Sequence, residues 1–199
     1  MNARKNFLTI TLALALMFST IGCDLFDTPD SAVDNYLTAI ENLDIETAAQ
    51  YVKEQDSAVN QTNIADDPEG EKILKAITQK ISHEIISSRK SGNTAQVVTR
   101  ITSPDMMRIV SSVMSDLIPM AFASAFSEDP NNDNSDQLAQ QYFMNAIMDP
   151  NLPLTTQEVT INLIEENGKW VILADDNLAN AITGNLGKLS ESLNSIKWE

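Results

Sequence analysis

Between Glu158 and Ala174 the chain carries the pattern that most restricts its fold. Val159, Ile161 and Leu163 alternate with Glu158, Thr160 and Asn162, so an extended segment has one apolar side and one polar side. Glu166-Asn167-Gly168 follows, and Asn-Gly is the strongest short-range hairpin signal because the favoured two-residue turn needs positive φ. Trp170, Ile172 and Ala174 then return apolar side chains with the same period. Such a stretch demands an antiparallel sheet with one covered face.

A second hairpin is expected earlier. His83 to Arg89 reads as a strand, Lys90-Ser91-Gly92-Asn93 as a turn, and Thr94 to Thr102 as a strand with Val97, Thr99 and Ile101 on one face. Helices precede it. Thr28-Pro29-Asp30 supplies a capping hydroxyl, a proline at the first helical position and an acid in the first turn. Val33, Tyr36, Leu37 and Ile40 then follow at helical spacing. Asn42 to Asp44 breaks that helix, and Asp44 caps a second one carrying Ile45, Ala48, Tyr51 and Val52, the pair forming a tight corner. Glu54 to Asp66 is a polar loop. Asp67-Pro68-Glu69 then starts a third helix with Ile73, Leu74, Ile77 and Ile81.

The two hairpins are separated by a helical block, residues 104–149. Met107, Val110, Val113 or Met114, and Leu117 make its first stripe, and Pro119 is expected to kink or end the helix. After a polar stretch, Ser127 to Ser135, a further helix carries Leu138, Tyr142, Phe143, Ala146 and Ile147 and stops at Asp149-Pro150. Asp175-Asp176-Asn177 caps a last helix in which Leu178, Ile182, Leu186, Leu189, Leu193 and Ile196 step by three and four. Gly184 and Gly187 weaken it by ~1 kcal/mol each relative to Ala. It therefore depends on packing, against the sheet or against a partner helix of coiled-coil type.

The N-terminus has a different character. A basic start with Arg4 and Lys5 leads into the uncharged, mostly apolar run Phe7 to Phe18, then Ser19-Thr20-Ile21-Gly22-Cys23, the three-part layout of an export signal. Ile21-Gly22 before the only cysteine resembles the lipobox of bacterial lipoproteins. Thr20 stands where that family usually has Leu. The resemblance implies cleavage between Gly22 and Cys23 by lipoprotein-processing enzymes, with a diacylglyceryl group on Cys23. An uncleaved membrane anchor competes, although Phe7 to Gly22 falls short of the ~20 residues a spanning helix needs. So does an ordinary signal with a coincidental cysteine. The expected organisation is a signal peptide over 1–22, a tether over 23–28, and one α+β domain over 29–199 with its insertion at 104–149.

Charge removes several function classes. The chain has a formal net charge of −15, and loss of Arg4 and Lys5 with the leader makes it more negative. Nucleic-acid binding rests on neutralising phosphates with Lys and Arg, so it is not expected. Anionic headgroups are repelled too, leaving the lipid on Cys23 as the means of membrane attachment. With one histidine and one cysteine in the chain, zinc ligation and thiol catalysis by the mature domain are excluded.

The helical opening Pro29…Ala32-Val33…Tyr36-Leu37-Thr38-Ala39, with Asp44…Ala48-Ala49…Tyr51, is joined near the end by two further stretches. These are Val159-Thr160-Ile161 and Asn167-Gly168-Lys169-Trp170-Val171-Ile172. Together they resemble small secreted lipoproteins of Gram-positive bacteria whose domain is similar to nuclear transport factor 2. The resemblance covers roughly residues 29–103 and 153–187. It implies N-terminal helices on a curved, cone-like antiparallel sheet, with a helical insertion and a C-terminal helix. Block 104–149 is longer than the connection that family has between its middle strands. Enzymes of the superfamily place an acid, a His or a Tyr inside the cone.

No catalytic constellation stands out in the residues themselves. His83 beside Glu84 could form a proton-transfer pair, or His83 could be a boundary side chain bonded to backbone or water. Asp129-Pro130-Asn131-Asn132-Asp133-Asn134-Ser135 alternates oxygen ligands as a calcium loop does. Asn134 replaces the turn glycine, however, and Gln140 stands where the bidentate Glu belongs. No metal and no cofactor is therefore assigned. Of 8 methionines, six fall in the block: Met106, Met107, Met114, Met120, Met144 and Met148. Methionine adapts to irregular apolar partners. The block is thus either an ordinary core or a deformable groove for a hydrophobic ligand or protein partner, lined by Met107, Met114, Met120, Phe122, Phe126, Phe143 and Met144. The expected function is a non-enzymatic binding or interaction module, lipid-anchored on the extracytoplasmic face of the cell membrane. The competing classes are a small isomerase or hydrolase using a pocket in the cone, and a structural envelope component.

Overall fold

The computed structural model describes residues 28–53, 68–125 and 135–188. The leader, Cys23, the tether up to Asp27, the Glu54 to Asp66 loop, Phe126, Asp129 to Asn134 and the Leu189, Leu193 and Ile196 stripe lie outside those residues. The domain is α+β, with helices and a four-stranded antiparallel sheet of order β1-β2-β3-β4.

Helix α1, Pro29–Glu41, starts as its sequence dictates. The Ser31 amide donates to Thr28 Oγ1 (3.2 Å) and the Thr28 amide to Ser31 Oγ (2.9 Å), a reciprocal cap. Ala32, Val33, Leu37 and Ala39 are buried. Leu43, at φ 58°, turns the corner into α2, Ile45–Ala49. There the Thr47 amide donates to Asp44 Oδ1 at 3.0 Å. Hydrogen bonds from the Thr47 side chain and from its amide hold the Asp44 carboxyl below its ordinary range, since they favour the charged form. Tyr51 and Val52 do not continue this helix as the sequence led us to expect. Instead Val52 pairs in parallel with Ile172, whose amide donates to the Tyr51 carbonyl at 2.7 Å. An α2 of five residues forms few internal bonds, and the following backbone finds its partners on a strand.

Helix α3 spans Pro68–Thr78 and ends before Ile81, which is buried in the sheet's core. The first hairpin joins β1, Ser82–Ser91, to β2, Thr94–Pro104, through Gly92-Asn93, so its strands are longer and its turn tighter than expected. Ile85 pairs with Thr99 and Ser87 with Val98, leaving Ile86 as an extra residue in a bulge. The bulge reverses the side-chain phase of β1. Lys90 therefore comes round to the covered side, where its Nζ lies 4.6 Å from the Trp170 ring centroid and 3.1 Å from Glu165.

Helix α4, Met106–Ala125, passes through Pro119 without ending. Proline there removes one amide donor to the Ser115 carbonyl, and both residues are exposed, so water can serve that acceptor. Helix α5 follows as Ser135–Met148, then β3, Leu154–Glu166, and β4, Lys169–Leu173. Helix α6, Asp176–Ile182, is capped by Asp175, whose Oδ1 accepts from the Leu178 amide at 2.9 Å. It does not run on as one long helix. Gly184 and Asn185 have φ of 56° and 67°, and a Cβ on Gly184 would stand 1.7 Å from the Pro104 carbonyl oxygen. Close packing against the end of β2 breaks the helical stripe at this point.

One face of the sheet carries the main core. Val97 and Ile101 of β2, Val159, Ile161 and Leu163 of β3, and Trp170 and Ile172 of β4 meet Val33 and Leu37 of α1 and Leu178 of α6. A separate small cluster, Met106, Ile109, Ile147 and Leu152, joins α4 and α5, with Ile77 of α3 and Phe143 against it.

Candidate functional site

His83 and Glu84 are neighbours on β1, so they leave the sheet on opposite faces. On the covered side the His83 ring is 8% exposed, with Nδ1 2.7 Å from Glu41 Oε1 and Nε2 3.2 Å from Asp34 Oδ1. Neutral imidazole has one donor and one acceptor nitrogen, whereas two ionised carboxylates only accept. Both ring nitrogens lie within hydrogen-bonding distance of a carboxylate. Each nitrogen is then engaged, and the cluster fastens α1 to β1. Of the two readings of His83, the pair with Glu84 does not form, because Glu84 binds Arg100 on the open face, and the boundary side chain bonds carboxylates instead of backbone or water. Asp34 and Glu41 were missed in the sequence because they lie 49 and 42 residues from His83. Their common signal is a seven-residue spacing along one face of α1.

Tyr36 and Tyr51 pack against the main core. Burial pushes the Tyr36 hydroxyl above its ordinary value by disfavouring the phenolate. The Thr99 hydroxyl is wholly buried between these layers, with no hydrogen-bond partner among the described residues.

The residues proposed to line an apolar groove are distributed unevenly. Phe143 packs on the small cluster, while Met107, Met120 and Met144 are half-buried. Met114 and Phe122 are 55% and 62% exposed, and Ile118 between them is 51% exposed, making a stripe along the outer side of α4. Phe126 lies outside the described residues. Among the described residues no helix is long and apolar enough to cross a membrane, and no group of three or more His, Cys, Asp or Glu is placed to hold a metal ion.

The opposite face of the sheet is polar. Arg100 reaches Glu84 and, at 3.6 Å, Glu158. Thr102 bonds Thr156 (2.9 Å), and Gln96 donates to Asn162 (3.1 Å). This face runs into a cleft of about 540 Å³ beside β3, where Gln157, Glu158 and Thr160 face Asp175, Asn177 and Asn180 at the entry to α6. Consecutive residues of one strand point alternately to its two faces. A cleft touching Gln157 through Thr160 without a break therefore abuts the strand's edge. The reason is topological: β4 pairs only with Asn162 to Glu166, then leaves the sheet at Ala174 to form α6. The two hairpin strands differ in length, 13 residues against 5, which the matched alternation of Val159 to Leu163 and Trp170 to Ala174 in the sequence does not show.

No family model, no curated protein and no solved structure matches this chain.

Proposed function

We propose that this chain is a lipid-anchored binding module on the extracytoplasmic face of the cell membrane. Its domain is similar to the nuclear transport factor 2 cone of Gram-positive lipoproteins and enlarged by the helical block. Cys23 carries the anchor. The observation that supports binding over catalysis is where the polar groups go. His83 is spent on Asp34 and Glu41, and Arg100 on Glu84 and Glu158. The polar cleft beside β3 is lined by amides, hydroxyls and carboxylates suited to holding a partner.

Attachment is tested by fractionating cells that express the wild type or Cys23→Ser. The wild type is expected in the membrane fraction at the mass of a diacylated chain beginning at Cys23. Cys23→Ser is expected to be released, or retained as the unprocessed precursor. Two acyl chains give the stable hold that a single chain does not. Membrane retention and mass unchanged by the substitution would sink the reading.

A further inference from the structure

The cleft beside β3 has a backbone wall, and the direction of its hydrogen-bonding groups can be worked out. The Glu165 amide donates to the Asn93 carbonyl at 2.8 Å, on the β2 side. The β2–β3 register is continuous from Pro104↔Leu154 to Thr94↔Ile164. Amide and carbonyl of one strand residue point to the same side and alternate along the strand. Gln157, Val159, Ile161 and Leu163 thus serve β2, while Thr156, Glu158, Thr160 and Asn162 point away from it. Asn162 is opposite Leu173 of β4. Among the described residues no backbone bond reaches Thr156, Glu158 or Thr160 on that side. Among the described residues the lane that β4 leaves at Ala174 is therefore unpaired for about five residues, ~17 Å of strand.

The two lateral edges of this hairpin are treated differently. Beyond β4 the edge is covered, since Ile172 exchanges bonds with Tyr51 and Lys53. Beside Thr156 to Thr160 there is a cleft. This edge is a template for an added strand, in which main-chain bonds give affinity and flanking side chains choose the partner.

Charge says which partner. Glu158, 55% exposed, stands at the middle of the open edge, and Asp175 lines the same cleft. Arg100 at 3.6 Å from Glu158 and Lys188 in the lining are the basic groups nearby. The whole chain carries −15. A second copy pairing edge to edge about Glu158 would set like charges opposite each other, which is destabilising. An extended segment bearing Lys or Arg complements the acids instead. We infer that the Thr156–Thr160 edge of β3 accepts an extended, basic peptide segment as an added fifth strand. The inference rests on the binding-module reading above and gives that module its partner class.

The test is amide hydrogen exchange on the full chain with three synthetic probes. These are acetyl-Thr-Lys-Val-Lys-Val-Lys-Thr-amide, the same peptide with Glu for each Lys, and the Lys peptide N-methylated at alternate residues. The Lys peptide is expected to raise protection at the Thr156, Glu158 and Thr160 amides at least tenfold. The Glu peptide should bind at least tenfold more weakly, and one N-methylated register should not bind. Thr160→Pro removes an outward amide donor that the native ladder does not use, and it should weaken binding at least tenfold. Glu158→Lys, an exposed change, should do the same and keeps the test standing if the proline variant fails to fold. Unchanged exchange at the three amides would overturn the proposal, as would equal binding of the Glu peptide. Protection that rises with protein concentration in the absence of peptide would assign the edge to a second copy and equally overturn it. Cys23 anchoring is read separately: the edge can fail while Cys23→Ser still releases the chain, and the reverse.

Discussion

The sheet core and the helical block use the same kinds of apolar residue and obtain different results. In the sheet, Val97, Ile101, Ile161, Leu163 and Ile172 are all but inaccessible, closed over by α1 and α6. In α4 the first turns are buried through Met106, Ile109 and Val113, yet Met114, Ile118 and Phe122 remain open. A strand pair presents a flat, continuous surface that a single helix can cover. Three helices without a sheet beneath them bury only the residues at their crossings. Hence the small cluster is fixed where α3, α4 and α5 meet, while Met114, Ile118 and Phe122 stay exposed.

The largest effect that would sharpen this contrast is Ile172→Ala. It leaves a cavity at the centre of the main core and should cost about 3–4 kcal/mol, read as a cooperative loss of the whole domain in denaturant titration. Ile147→Ala removes the middle of the small cluster and should cost about 2–3 kcal/mol. Its signature is local: faster amide exchange in α3, α4 and α5 with strand amides unchanged. If Ile147→Ala unfolded the sheet as well, the two regions would be one cooperative unit.

A pH measurement probes the sheet side. The folded pKa of Tyr36 is raised by burial above its ordinary 10.0. Its contribution is thus fully present below pH 10.0 and is lost as pH rises from there through the folded value. Tyr36→Phe should remove that part of the alkaline destabilisation, and identical alkaline unfolding curves would contradict it. At the small end, Phe122→Ser on the open stripe of α4 should change stability by less than ~0.5 kcal/mol. A larger loss, measured by thermal unfolding, would mean that this stripe is covered in the folded chain.

The features legible in the sequence were those made by near neighbours. The Thr28 and Asp44 caps, the Asn167-Gly168 turn and the alternating strand faces each depend on a few adjacent residues, and the structure places them as read. Contacts between distant segments were not legible. Nothing near His83 announces Asp34 and Glu41, and nothing near Val52 announces Ile172. Gly184 could be read as weakening a helix, but the Pro104 carbonyl that requires a glycine there lies eighty positions back. Pro119 failed as a stop signal because an exposed helix can leave one carbonyl to water. The edge cleft follows from where a short strand leaves the sheet, which composition alone does not reveal.

The bridge from Val52 to Ile172 has a consequence for the order in which the chain can mature. The apolar face of α1 is made well before Trp170, Ile172 and Leu178, which cover it. No early portion of the chain can close the main core on itself. The main core therefore closes only once the final hairpin is available, and contacts this far apart along the chain form slowly. A polypeptide of this design is expected to stay threadable through a narrow passage until the segment from Trp170 to Ala181 has been made.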